Sequence, residues 1–141
     1  MKSIAIIPAY NEEKTIGNVL EVLIDIDVID KIIVVSDGST DNTVEVALEY
    51  GVTVIELEEN KGKGGAMKAG LDSTEADVIL FLDADLIGLN SDHVLSLLLP
   101  VINGEAEMTI GLFDKGRMAT DLAQKVAPYL SGQRAVCRTL L

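Results

Sequence analysis

This chain has almost nothing with which to build a disulfide or a zinc centre. Cys137 is its single cysteine and His93 its single histidine. One cysteine excludes an internal disulfide and fits a reducing compartment, so a cytoplasmic protein is expected. Without a Cys/His cluster the sequence offers no zinc ligand set. Long apolar runs are missing too. Apolar residues make 48% of the chain, yet no stretch approaches the roughly 18 consecutive apolar residues of a membrane span. Met1-Lys2-Ser3-Ile4 leads straight into an apolar strand, without the features of a signal peptide. Bases are scarce: 11 Lys and Arg face 23 Asp and Glu, for a net charge of −12. That balance argues against general nucleic-acid binding, which needs a basic footprint. The scarcity is uneven. Residues 1–104 hold 19 acids and 6 bases, whereas residues 105–141 hold 4 and 5. The last quarter is therefore able to face something anionic, although an acidic surface elsewhere also simply promotes solubility.

What is present alternates. Apolar strands at Ser3–Ile7, Lys31–Val35, Val52–Leu57, Val78–Leu82 and Glu107–Gly111 are separated by stretches with helical spacing. The clearest of these carries Ile16, Val19, Leu20, Leu23 and Ile24. Asp41 or Thr40 is placed to cap a helix from about Thr43 to Tyr50, and Ser91 or Asp92 to cap one through Val101. A further helix is expected over Ala119–Leu130, broken near Pro128. Strand and helix in alternation predict an α/β protein, with a doubly wound, mostly parallel sheet covered by helices on both faces. At 141 residues with no linker or repeat, it reads as one domain.

The chemistry sits where strands end. After Val78-Ile79-Leu80-Phe81-Leu82 come Asp83 and Asp85, spaced i and i+2. At strand spacing both carboxylates share a face and converge beyond the strand's carboxyl end, where ligands bind in open α/β sheets. Two hard oxygen donors suit Mg²⁺ or Mn²⁺ on a diphosphate. Pro8-Ala9-Tyr10-Asn11-Glu12-Glu13 follows the first strand on the same edge. There a tyrosine ring can stack on a base and a carboxylate can accept from a sugar hydroxyl. The same residues also read as a plain helix entry. In Ser36–Asp41, Asp37 is placed to accept from a pyrimidine N–H, while an Asx turn explains the composition equally well, and for Asp41 the turn is the better reading. Lys61-Gly62-Lys63-Gly64-Gly65 has the makings of a phosphate cradle, or of a mobile basic loop. It is not a P-loop, and no Gly-x-Gly-x-x-Gly follows the first strand, so a nicotinamide dinucleotide is not indicated. Arg117, Arg134 and Arg138 could meet a phosphate or carboxylate through bidentate pairs, or be solvated helix ends.

Taken in chain order, Pro-Ala-Tyr-Asn-Glu-Glu, Asp-Gly-Ser-Thr-Asp, Gly-Lys-Gly-Gly-Ala and Asp-Ala-Asp resemble the motifs of family 2-like glycosyltransferases of the GT-A fold, over about residues 3–90. Gly111–Arg117 and Ser131-Gly132-Gln133-Arg134-Ala135 are more weakly similar to the acceptor-side segments of glucosyl-3-phosphoglycerate synthases. The resemblance implies a strand order 3-2-1-4 in a nucleotide-sugar-binding half (residues 1–104), followed by the start of an acceptor-side half (residues 105–141) that is expected to be incomplete. It implies a nucleotide-diphosphate sugar as donor, UDP-glucose first and GDP-mannose second, and a divalent metal. It places Pro8, Tyr10, Glu12 and Asp37 at the nucleoside and Lys63 near the diphosphate. Asp83 falls at the ribose and metal, and Asp85 nearer the metal. The acceptor stays open among a phosphorylated or carboxylated small molecule, a lipid phosphate and a glycan.

One departure stands out. After Asp121 the chain has no Asp or Glu to serve as general base, so no catalytic base is assigned and both retaining and inverting chemistry stay open. Two rival functions remain: a sugar-phosphate nucleotidyltransferase, and a nucleotide-sugar-binding module without turnover. Val136–Leu141 reads as the start of an amphipathic helix, which further residues or a second subunit of a homo-oligomer would cover.

Overall fold

Strand β1, Ser3–Ala9, is buried along its whole length. Its alternate side chains feed two separate cores, Ile4 and Ile6 on one face of the sheet and Ala5, Ile7 and Ala9 on the other. A strand covered on both sides needs apolar residues at every position, which is why it is written as a continuous hydrophobic run. The computed structural model describes residues 1–111, 113–114, 117–118 and 133–141. The helix expected over Ala119–Leu130 lies outside the described residues.

In chain order β1 is followed by α1 (Ile16–Leu23), β2 (Lys31–Asp37), α2 (Thr43–Glu49), β3 (Thr53–Leu57), α3 (Gly62–Asp72) and β4 (Val78–Phe81). Then come α4 (Ser91–Ile102), β5 (Met108–Gly111), the short pair β6 (Phe113–Asp114) and β7 (Arg117–Met118), and β8 (Gln133–Cys137). The main sheet has six strands in the order β3-β2-β1-β4-β8-β5. Strands β3, β2, β1 and β4 are parallel neighbours, and β8 runs antiparallel between β4 and β5. The doubly wound sheet is thus as the alternation of strands and helices led one to expect, and the order 3-2-1-4 as the resemblance implied. Helix α1 buries Ile16, Val19, Leu20 and Leu23 in one core, together with Val94, Leu97, Leu98 and Val101 of α4. Each such side chain contributes about 1.5–3 kcal/mol on burial. Helix α3 covers the opposite face, and Gly70 lets it approach closely. A Cβ there would lie 2.7 Å from Ile6 Cγ2 and 3.1 Å from Val35 Cγ2.

Several expectations need correction. Val136–Leu141 does not begin a helix: Gln133–Cys137 is a strand and Arg138–Leu140 a 3-10 turn. Strand β8 sits inside the sheet, so Ala135 enters one core and Val136 the other. Adjacent residues both buried give no period-2 signal. Helix α4 is capped by Asn90, whose side chain accepts the His93 N–H at 2.9 Å, and not by Ser91 or Asp92. Strand β1 runs through Pro8 to Ala9. Ile6 accepts the Leu82 N–H, and in a parallel ladder Pro8 turns toward that same side, where β4 has already ended. A missing N–H therefore costs no ladder bond there.

Candidate functional site

The strand order reverses between β1 and β4: the chain lays β2 and β3 to one side of β1 and then crosses to the other. Such a switch point opens a crevice at the strands' carboxyl ends. A cleft of about 330 Å³ lies there, lined by Pro8, Ala9, Tyr10 and Glu12 after β1, Asp37 at the end of β2, and Asp83, Ala84 and Asp85 after β4. Asn60, Gly62, Lys63 and Ala66 close it from the amino end of α3. A second cavity, of about 420 Å³, sits at the opposite edge of the sheet around Val78, Val101 and Cys137. It holds none of the strand-end motifs.

Two loops of the cleft are stitched together by their own motifs. Asn11 adopts a left-handed backbone, φ 52°. In that posture its side-chain oxygen accepts the backbone N–H of Thr40 at 2.8 Å and of Asp41 at 3.3 Å, and its own N–H donates to Ser39 Oγ at 3.1 Å. Glu12 N–H donates to Thr43 Oγ1 at 2.9 Å and Glu13 N–H to Asp41 Oδ2 at 3.3 Å. Glu13 Oε2 accepts the Asn42 N–H at 3.2 Å. Asp41 Oδ1 takes the Thr43 N–H at 2.9 Å and also the Thr43 hydroxyl, so Asp41 forms the Asx turn expected of it. Burial works to raise its pKa, but the bonds from Thr43 and Glu13 outweigh that and hold the carboxyl below its ordinary value. A lowered carboxylate stabilises the fold above its unfolded pKa, and that contribution is lost as pH falls through the folded value. Asp41→Asn should therefore lower urea stability by about 1 kcal/mol at pH 7. The deficit should shrink once the pH is taken below 3.8, the ordinary carboxyl value. A deficit independent of pH would show that charge plays no part in this loop.

A third loop is tied in through Asp37. Asp37 is 4% exposed, and its Oδ1 accepts the Lys61 N–H at 2.7 Å. Gly38 makes this approach possible: φ is +76°, and a Cβ would meet Asn60 N at 2.9 Å. Helix α3 starts at Gly62, inside the Lys61–Gly65 stretch, after Asn60 Oδ1 accepts the Gly62 N–H at 3.0 Å. Lys63 thus rides on the first helical turn and not on a loop, and that turn borders the cleft.

Strand β4 ends at Phe81, so Asp83 and Asp85 do not share a face through the pleat of a strand. Residues 84–85 form a turn, and this turn brings both acids to the cleft wall. Asp83 is half-buried and fully engaged. Oδ1 pairs with Lys63 Nζ, Oδ2 accepts Gln133 Nε2 at 2.8 Å, and its N–H donates to Gln133 Oε1 at 2.7 Å. Asp85 is exposed. Glu12 registers the field these acids create. Burial raises its pKa first, Asp85 next, with Asp41 and Asp83 adding and the Thr15 hydroxyl opposing.

Sequence-derived candidates Pro8, Tyr10, Glu12, Asp37, Lys63, Asp83 and Asp85 come together around this one cleft. Arg134 does not line it; its guanidinium lies over the Phe81 ring, 5.5 Å from the centroid. The side chain of Arg117 is outside the described residues. His93 stands in the first turn of α4, away from the cleft. Gln133, Asn60 and Ala66 were not foreseen. Gln133 lies 50 residues from the acid it holds, which no local pattern reveals.

Hard carboxylate oxygens suit a divalent cation, yet among the described residues no group of three or more His, Cys, Asp or Glu could hold one unaided. That donor set fits an ion of the Mg²⁺ type, which takes one or two carboxylates and completes its shell from water and a ligand's phosphates. Among the described residues no helix is long and apolar enough to cross a membrane.

The family model described as Glycosyl transferase family 2 matches residues 4–137. A 4,4'-diaponeurosporenoate glycosyltransferase of Staphylococcus aureus is 41% identical over 98 residues, 66% of this chain and 26% of that protein. Crystal structures of glucosyl-3-phosphoglycerate synthase from Mycobacterium tuberculosis share the fold across 99% of this chain. The complex with phosphoglyceric acid has a TM-score of 0.82 at 30% identity, over 58% of that chain. The complex with Mn²⁺, uridine diphosphate and glucosyl-3-phosphoglycerate gives 0.81 at 31%, also over 58%. The complex with Mn²⁺, UDP-glucose and phosphoglyceric acid gives 0.82 at 31%, over 57%. The chain thus spans about a quarter of the curated relative and less than two thirds of the solved ones.

Proposed function

Because the chain belongs to glycosyl transferase family 2, we propose that its cleft binds a nucleotide-diphosphate sugar, UDP-glucose by first preference, for transfer of the hexose to an acceptor. The observation that carries this is the convergence of Asp37, Lys63, Asp83 and Asp85 on one crevice from β2, α3 and the turn after β4. The Mn²⁺, uridine diphosphate and UDP-glucose complexes of the similar synthases support the choice of base, sugar and metal.

In this reading Tyr10, 48% exposed, offers its ring to the base. Asp37 spends Oδ1 on the Lys61 N–H and has Oδ2 for a pyrimidine N–H. Asp83 and Asp85 would hold Mg²⁺ or Mn²⁺, which neutralises the charge left on the nucleoside diphosphate when the sugar–phosphate bond breaks. Lys63 and the amino end of α3 face that same leaving group and share in stabilising it. Pro8 shapes the wall without offering an N–H, and Glu12 adds a carboxylate for a sugar hydroxyl. Arg117 and Arg134 are assigned to a phosphorylated or carboxylated acceptor, in keeping with the phosphoglyceric acid bound by the similar synthases.

Titration calorimetry tests the donor site. Uridine diphosphate should bind at least about tenfold more tightly with Mn²⁺ than with EDTA, since phosphate and two carboxylates otherwise repel. Equal affinity in both would remove the metal from the proposal. Asp37→Ala should weaken uridine nucleotides by about 1–3 kcal/mol, the cost of an unpaired buried group, and barely alter adenosine nucleotides. If all nucleotides weaken alike, Asp37 only ties down the Lys61 loop.

A further inference from the structure

The side-chain amide of Gln133 meets Asp83 twice. Oε1 accepts the Asp83 N–H at 2.7 Å and Nε2 donates to Oδ2 at 2.8 Å. Strand pairing between β4 and β8 ends at Phe81 and Arg134. Beyond that pair the amide of Gln133, the next residue of β8, takes over the role of backbone and reaches Asp83, two residues past Phe81. Gln133 is 5% exposed and opens a strand that is paired on both sides, so it has little freedom to reorient. We infer that Gln133 is the positioning residue of the metal–diphosphate site, fixing the Asp83 carboxylate so that Oδ1 faces Lys63 and the cleft. The inference rests on the nucleotide-sugar reading of that cleft.

Three features make this more than the satisfaction of a strand end. The two bonds fix both the main chain and the side chain of the same acid, which sets its rotation as well as its place. Oδ2 is committed to a donor, which leaves Oδ1, the oxygen that pairs with Lys63, as the one turned to the ligand side. An amide is also the right group electrically. A carboxylate at 133 would lose the donor and repel Asp83, and a cation there would compete with the metal for the acid. Only a neutral group that donates with one atom and accepts with the other meets both demands. Partners that orient a metal-binding carboxylate in this way set the affinity of its site.

Calorimetry of uridine diphosphate binding across a Mn²⁺ series tests the assignment on the full chain, with urea unfolding alongside. Gln133→Met keeps the length of the side chain and loses both bonds. It should raise the Mn²⁺ concentration for half-maximal enhancement about 10–100-fold. Saturating Mn²⁺ should restore the wild-type affinity for uridine diphosphate. In an Asp83→Ala background the same substitution should add no further shift, because Gln133 acts through Asp83. A wild-type Mn²⁺ midpoint in Gln133→Met overturns the assignment, as does an undiminished shift in the Asp83→Ala background. If Gln133→Met does not fold, Gln133→Asn decides: it stays polar but is one methylene too short to make both bonds, and an unshifted midpoint refutes the role. Absence of any Mn²⁺ effect in the wild-type protein would instead defeat the metal reading of the cleft, and the assignment with it.

Discussion

Asp85→Asn is expected to leave the fold intact and to remove the Mn²⁺-dependent part of uridine diphosphate binding. Its side chain is exposed in the turn after β4 and contributes nothing to either core. Asp83, by contrast, is held by Gln133 and Lys63, so it cannot bind a cation without some exchange of partners. Asp85 is therefore the acid that meets the metal at least cost. Replacing a ligand carboxylate should weaken metal affinity by at least as much as losing an orienting partner, about 10–100-fold. Thermal unfolding without ligand should be unchanged, and Glu12 should be relieved of the second-largest cause of its raised pKa. A variant with the full Mn²⁺ enhancement would move the metal away from this turn.

The largest stability loss is expected from Gly70→Val, in the middle of α3. Glycine inside a helix ordinarily costs about 1 kcal/mol against alanine, so something else must favour it here. That something is the distance to the sheet. An added Cβ would fall 2.7 Å from a methyl of Ile6 and 3.1 Å from one of Val35, both fully or almost fully buried. Branched side chains on a central strand have no open rotamer to retreat into. Overpacking of this kind costs about 1–3 kcal/mol for modest insertions, and valine should reach or pass the upper end. Alanine should lose less, since its helical preference offsets part of the clash. Urea unfolding of both variants checks this, and an unchanged midpoint for Gly70→Val would mean that α3 stands further from the sheet. Because Lys63 and Ala66 line the cleft from the same helix, a displaced α3 should weaken nucleotide binding as well.

What could be read from the sequence follows the locality of each signal. Strands β1 and β4 were legible because a parallel strand covered on both faces must be apolar throughout, as Ile4-Ala5-Ile6-Ile7 and Val78-Ile79-Leu80-Phe81 are. Asp41 was legible as an Asx turn because its partner, Thr43, is two residues away. The cleft was legible as a set of motifs after successive strands, since the parallel topology carries those ends to one edge. Strand β8 was not, because only its setting between β4 and β5 makes a strand of Gln133–Cys137. The geometry of Asp83 and Asp85 was misread for a related reason. The apolar run continues to Leu82, but pairing with β1 stops at Phe81, and a turn rather than a pleat sets the two acids. Asn11 was visible as a polar loop residue. Its task of fastening the β1 and β2 loops depends on residues 28–30 positions away.

The place of β8 also dictates the order in which this protein can be assembled on a ribosome. Strands β1 to β4 follow one another with a single helix between neighbours, so each can dock soon after it emerges. Strand β5 cannot, because among the described residues its partner in the sheet is β8, made more than twenty residues later. Until then neither the outer edge of β4 nor β5 has its β8 partner, a period in which both are exposed to mispairing with other chains. Asp83 emerges 50 residues before the Gln133 partner that holds it. The Asp83–Gln133 contact can thus form only after the ties among the β1, β2 and α3 loops, whose residues all precede Asp83.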